Sequence, residues 1–305
     1  MMDGPVPTQP GGKTPSRFMK SWWFRFYAAV ILVAFPVLLY LGAGFLQAYF
    51  TLSSLPELNS NHFVMERLHL REWVPLDQVS PLAADAVVAS EDDGFFQNRG
   101  IDWDSIRNAL REDWEAGKLK RGGSTLTQQV VKNVFLTRQK TISRKIAEMV
   151  LASQVPRFVT KKRVLEVYLN CAQWGGDLYG ISEASRFYFK KNSAQLGAKE
   201  GAFLAMMLPN PVRYGRSFEK GKLTPYAQKE ILSLLDRMKI EGYLTDEQYE
   251  REKALPLAFE KNATVSNDEI VPEITSTPIP QAPPRPAVKV TPAQAVETPS
   301  WGWGQ

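Results

Sequence analysis

Histidine and cysteine are nearly absent: the 305 residues include two histidines, His62 and His69, and one cysteine, Cys171. A lone cysteine excludes an intrachain disulfide in any compartment, and without a His/Cys cluster a zinc-type metal site is disfavoured. Cys171 is expected to be a small buried apolar residue. Strand-like alternation and βαβ spacing are also missing, which leaves an all-α domain. Two further absences concern charge. Phe26 to Leu52 contains no charged residue, and Lys120 to Arg163 sets eleven Lys/Arg against a single acid, Glu148. The chain as a whole is 44% apolar and 23% charged with a net charge of +5, which suits one globular domain with appendages.

The uncharged run is long enough to cross a bilayer, which takes about 20 apolar residues, and Pro36 is tolerated in such a helix. Lys13, Arg17, Lys20 and Arg25 precede it against Asp3 alone, while Glu57 and Glu66 follow. The positive-inside rule therefore puts the N-terminus in the cytoplasm and the rest of the chain outside. Trp22, Trp23, Tyr49 and Phe50 sit where interfacial aromatics belong. Gly42-Ala43-Gly44 supplies the small residues of a cleavage site, but the run exceeds the about 7–15 apolar residues of a secretory signal, so it reads as an uncleaved anchor. The expected division is a cytoplasmic tail 1–25, an anchor 26–52, a linker 53–79 with a short strand or two, a helical domain 80–257 and a Pro-rich disordered tail 258–305. The tail, ending Trp301-Gly-Trp-Gly-Gln305, reads as a plain extension, with docking to another envelope protein as the alternative.

Helix signals follow one another from Ser80. Ser80 is an N-cap candidate ahead of Pro81, and Asp102 is another, for a helix ending at Gly117. Thr125-Leu-Thr-Gln128 fits a capping box. A helix is expected from Ser143 to about Val155 with Ile146, Met149 and Val150 inward, and Thr160 caps the next. Others are expected near 181–190, 193–207, 225–240 and 245–254.

Glu91-Asp92-Asp93 stands at the C-terminal end of a helix, where the macrodipole disfavours acids. Screened by Phe95 and Phe96, such a carboxylate acquires the raised pKa of a general base; left exposed, the run is only a solvated acidic turn. Glu148 follows Arg144 and Lys145 by one turn, which an ordinary surface ion pair explains. Yet Lys132 on the preceding helix and Lys140 in the connection can converge on the same place, and Gly122-Gly123 before a helix start offers N–H groups to a phosphate. A basic run invites nucleic acid as ligand, but a domain outside the membrane never meets the chromosome, so no nucleic acid is expected.

Taken in order, these segments match more than composition does. Glu91-Asp92-x-x-Phe95-x-x-x-x-Gly100, Gly122-Gly123-Ser124-Thr125-Leu126-Thr127-Gln128-Gln129, Arg144-Lys145-x-x-Glu148, Lys161-x-x-Val-Leu-Glu166-x-Tyr168-Leu169-Asn170 and Tyr179-Gly180-Ile-x-x-Ala184-x-x-x-Tyr188-Phe189-x-Lys191 resemble the five motifs of the family 51 glycosyltransferases. The resemblance runs from about residue 80 to 215. It implies a lysozyme-like helical domain on the outer face of the bacterial inner membrane that polymerises lipid II into glycan strands. It implies a catalytic pair in which Glu91 is the general base and Glu148 positions the pyrophosphate cations or a bound divalent metal. Lys132, Lys140, Arg144 and Lys145 would hold the pyrophosphate, and Ser124, Thr125, Gln128 and Gln129 would line the cleft. A divalent cation, Mg or Mn, is expected with the pyrophosphate, with Asp92 or Glu148 as its protein ligand. Expected partners are lipid II, the growing glycan strand, the membrane and other cell-wall synthesis or division proteins.

Two positions depart from the pattern, with Asn98 where the family usually has His and Asn108 where it usually has Arg. Two alternatives remain in view. A lytic glycosidase on the same fold would not need the cationic helix pair. A catalytically silent scaffold would fit the two departures. A bifunctional penicillin-binding protein is excluded, because Ser217-Phe-Glu-Lys220 has no Lys-Thr-Gly after it. The segment from Trp103 to Lys120 reads either as a mobile element that dips into the bilayer or as an amphipathic core helix.

Overall fold

The computed structural model describes residues 17–116, 123–137 and 139–260. The helices run α1 Arg17–Leu52, α2 Asn61–Leu68, α3 Pro81–Glu91, α4 Trp103–Ala116, α5 Leu126–Phe135, α6 Ile142–Gln154, α7 Lys161–Cys171, α8 Ile181–Phe189 and α9 Ala198–Met207. Short α10 Pro211–Tyr214 and α11 Arg216–Glu219 lead to α12 Pro225–Ile240 and α13 Asp246–Ala254. Among the described residues there is no named strand, only an isolated antiparallel bridge between Gln173 and Tyr179. The all-α expectation holds.

α3 is the axis of the domain. Its Ala83, Ala84, Ala86, Val87, Val88 and Ala89 are all buried, because small side chains let neighbouring helices close in from several sides. α9 and α12 pack on it, while α5 lies between α6 and α7. An aromatic group of Tyr188, Phe189, Phe203, Phe218 and Phe259 fills the pole farther along the chain, its rings 4.9 to 6.3 Å apart. The buried rings of Tyr188, Phe189 and Phe203 each stabilise the fold by roughly 1.5–3 kcal/mol, and the partly buried Phe218 and Phe259 by less.

Several expectations need correction. The apolar run lies inside a longer helix that already begins at Arg17, since Lys and Arg oppose membrane burial but not helix formation. The segment 53–79 holds no strand. It forms a 3-10 turn at Leu55–Asn59, α2 and another turn at Leu76–Gln78, and it buries Leu55, Leu58 and Val64 in the core. Ser60 starts α2 by accepting from the Phe63 N–H, and His69 ends it in the left-handed region.

Ser80 occupies the N-cap of α3 without a side-chain cap bond; instead its backbone N–H donates to Ser193 O. α6 starts one residue before Ser143, capped by Thr141, and turns Ala147, Glu148, Leu151 and Ala152 inward, with Ile146, Met149 and Val150 only half-buried. The 193–207 helix is split into a 3-10 turn and α9, and two short helices outside the expected set follow, α10, which Asn210 caps ahead of Pro211, and α11. Asp102, Thr125 and Thr160 cap as read from the sequence, and Cys171 is buried as expected. Lys13, Asp3, Gly117, Lys120, Gly122 and the tail beyond 260 lie outside the described residues.

Candidate active site

Two helix ends meet to form the site. Glu91 is the last residue of α3 and Asp92 its C-cap, and both face the N-terminal turn of α5. Asp92 Oδ2 accepts from the Leu126 N–H at 2.9 Å and Oδ1 from Asn98 Nδ2 at 2.9 Å. A carboxylate at the positive end of α5 is well placed, so the acid that the α3 dipole disfavours is held by the next helix. Thr125 closes the capping box with Gln128 and donates its hydroxyl to Gly100 O at 2.7 Å. Gly100 has φ +89° and passes so close to α6 that a Cβ would lie 2.1 Å from Ala152 O, so only glycine fits this turn.

Glu91 is partly buried and accepts a 2.8 Å hydrogen bond from Gln129 Nε2. Burial raises its pKa above the ordinary carboxylate value; the Gln129 bond and Lys132 pull the other way, and neighbouring Asp92 adds to the rise. That is the environment in which a carboxylate serves as a base near neutral pH. A cavity of about 140 Å³ opens beside it, lined by Ser90, Glu91, Asp93, Ser124, Thr125 and Arg237 among others.

The cationic group lies one turn along α5. Lys132 is partly buried, which lowers its pKa, while Glu148 raises it and Arg144 lowers it again. Glu148 is 2% exposed. It accepts from Arg144 Nη1 at 2.6 Å and pairs with Lys145, whose Nζ also donates to Ser124 Oγ at 2.8 Å. Glu148 is therefore no surface ion pair: it is the buried counter-charge that lets three cations stand together. Gln129 and Lys132 share a face of α5, so the helix joins the Glu91 pocket to the cation group.

Of the residues singled out from sequence, the structure brings together Glu91, Gln129, Lys132, Arg144, Lys145, Glu148, Ser124 and Thr125. Gln128 is corrected: it is fully buried, its Oε1 accepts from the Thr125 N–H, and it holds the turn instead of lining the cleft. Lys140 is exposed in the α5–α6 connection, with no contact to Lys132, Arg144 or Lys145 seen among the described residues. Asn108 is exposed on α4, where Arg111 donates to it at 3.4 Å.

The two carboxylates named for a divalent cation are already engaged by protein groups. Both Asp92 oxygens accept protein donors and both Glu148 oxygens are paired. No group of three His, Cys, Asp or Glu residues converges among the described residues.

Sequence reasoning gives no role to Lys161 or Arg237. Lys161 Nζ donates to Asn98 Oδ1 at 2.8 Å and lies 4.4 Å from the centre of the Phe95 ring. Asn98 thus bridges Lys161 to Asp92, so a shorter side chain in the motif still links its two neighbours. Arg237 reaches from α12 to donate to Ala89 O at 2.7 Å, steadying the end of α3. It lies beyond the matched motifs, and no local signal marks it.

Asn98→Ala should cost about 1–3 kcal/mol, the desolvation penalty of the polar groups left unpaired, read as a lower Tm. Burial brings Lys161 down from 10.5 to about 8. The unfolded chain therefore holds the extra proton between those values, so this group makes the fold more stable as pH rises from about 8 to 10.5.

The family model described as Transglycosylase matches residues 60–239. A biosynthetic peptidoglycan transglycosylase of Azoarcus sp. (strain BH72) is 44% identical over 146 residues, 48% of this chain and 63% of that relative, so the matched stretch spans less than two thirds of it. One of Bordetella pertussis is 42% identical over 173 residues, 55% of this chain and 70% of the relative. One of Nitrosospira multiformis is 32% identical over 234 residues, 72% of this chain and 97% of the relative.

Proposed function

The chain belongs to the transglycosylase family, and from that membership we propose that it polymerises lipid II into peptidoglycan glycan strands on a lysozyme-like helical domain. The observation that supports this reading best is the pairing of one pocketed carboxylate, Glu91, with a cation group joined to it by one face of α5.

In the proposed step, Glu91 takes the proton from the acceptor's GlcNAc 4-hydroxyl. That oxygen forms a bond to the anomeric carbon of the growing chain with inversion, and the bond to the pyrophosphate oxygen breaks, releasing undecaprenyl pyrophosphate. Charge builds on the leaving oxygens as the bond opens. Lys132, Arg144 and Lys145, already in place, stabilise it without reorganising. A leaving group this good needs no general acid, so one catalytic carboxylate suffices where glycoside hydrolysis uses two.

Glu148 acts in this scheme by holding Arg144 and Lys145, and Ser124 and Thr125 border the acceptor pocket. Lys140 would reach the pyrophosphate only from the exposed connection. Any divalent cation would arrive with the pyrophosphate and not on a protein cluster. We place the chain in the bacterial inner membrane, with α1 as a single-pass anchor and the domain facing outward. The uncharged run from Phe26 to Leu52 and the basic residues before it support that placement. Trp103, exposed at the start of the strongly amphipathic α4, supports a membrane-dipping role for that helix.

The test is incubation of the purified full chain with lipid II in detergent or vesicles. Glycan polymer and released undecaprenyl pyrophosphate are expected; release of anhydro-muropeptides from sacculi with no polymer would sink the proposal in favour of the lytic reading.

A further inference from the structure

α1 does more than tether. In its span from Trp22 to Leu52 the apolar side chains are overwhelmingly exposed, including Phe45, Leu46, Tyr49 and Phe50, yet Gly44 and Ala48 are buried. What covers them is α6. At Gly44 the two backbones nearly touch: a Cβ there would sit 2.2 Å from Ser143 O and 3.0 Å from Ile146 Cβ. The Tyr40 hydroxyl, one turn earlier, reaches Thr141, Ile142 and Ser143 at the first turn of α6.

α6 is also the helix that carries the cation group. At 100° per residue, Ser143 and Ile146 lie on one side of it and Arg144, Lys145 and Glu148 on the other. The anchor therefore presses on the back of the helix whose front holds the pyrophosphate in the proposed function. The level of the contact is informative too. A span of 31 residues is roughly 46 Å long against a hydrocarbon core of about 30 Å. With Trp22 and Trp23 at the inner interface, about 20 residues bring α1 out of the hydrocarbon near Leu41–Ala43. Gly44 and the first turn of α6 then lie among the headgroups, where a lipid-linked pyrophosphate carries its charge. Ile142 on that turn is an exposed apolar side chain.

We propose that the Gly44–Ser143 seam makes the membrane helix a positioning element of the donor site, holding the Arg144, Lys145 and Glu148 face of α6 at headgroup depth. This rests on the glycosyltransferase reading above. Gly44 touches no reacting atom; it acts through α6.

Gly42 supplies the control, since it is exposed on the same helix with nothing within 4 Å of its added Cβ. In full-length protein in nanodiscs, Gly44→Leu should raise KM for lipid II by at least about fivefold, the lower range of measured site coupling, with a smaller change in kcat. Gly44→Ala should fall between, and Gly42→Leu should match the wild type. Hydrogen exchange supplies a readout independent of turnover: amides of Arg144 to Ala147 should exchange faster in Gly44→Leu and not in Gly42→Leu. Equal KM and equal exchange in the two leucine variants would overturn the seam. If the wild type made no polymer but the exchange difference appeared, the seam would stand and the assigned activity would fall.

Discussion

Glu91→Gln should abolish nearly all polymerisation, lowering kcat by about 10²–10⁴-fold, the range that positioned acid–base groups contribute, while leaving KM for lipid II close to the wild-type value. The split follows from the geometry. The substituted amide keeps the shape of the pocket and can still meet Gln129, so substrate binding survives and only the proton acceptor is lost. The fold should not suffer. Burial raises the folded-state pKa of Glu91 above its ordinary 4.5, so the carboxylate binds its proton more tightly folded than unfolded. That group's contribution to stability is present at low pH and is lost as pH rises through the folded value. A neutral glutamine removes the penalty at neutral pH, and Tm should stay level or rise.

The same shift fixes the pH profile of the wild type. The acid limb of kcat/KM should titrate above 4.5, because only the ionised form accepts the proton. Replacing Gln129 with leucine deletes the bond that favours the ionised form and should move that limb still higher. A Glu91→Gln protein that polymerises at the wild-type rate would remove Glu91 from the chemistry, and one that loses Tm sharply would give it a structural role instead.

What can be read in advance divides by distance along the chain. The capping box at Thr125 and Gln128 is a four-residue pattern, and the Arg144–Glu148 pair is one helical turn, so both are visible as local spacing. Their meaning is not. Glu148 reads as a surface pair because sequence does not show that Ala147, Leu151 and Ala152 carry it inward. Gln128 reads as a cleft residue because the motif gives its position and not its burial. Contacts between distant segments leave no trace: Lys161 to Asn98, Arg237 to Ala89, and Gly44 to Ser143 each join elements whose proximity only the packing decides. The segment 53–79 misleads for a related reason, since its helices are too short for a clear period and are held by the domain they pack on.

Glu148 carries the second large effect, and it is one of stability and binding together. Glu148→Ala leaves Arg144, whose side chain is 13% exposed, facing Lys132 and Lys145 with no counter-charge. Breaking a buried pair from one side costs about 3–5 kcal/mol, and the value here should fall toward the lower figure because Lys145, at 39% exposed, can turn to solvent. Glu148→Gln preserves the volume and should lose less. In both variants Lys132 loses the group that raises its pKa, so its pKa drops further below 10.5 and its charge is lost at a lower pH. KM for lipid II should therefore rise more steeply with pH than in the wild type. The double variant Arg144→Gln with Glu148→Gln separates the two roles. It removes a cation along with its partner, so Tm should recover relative to Glu148→Gln, while polymerisation should stay low because the leaving group has lost a donor. Recovery of both together would mean that Arg144 serves only to neutralise Glu148 and never touches the pyrophosphate.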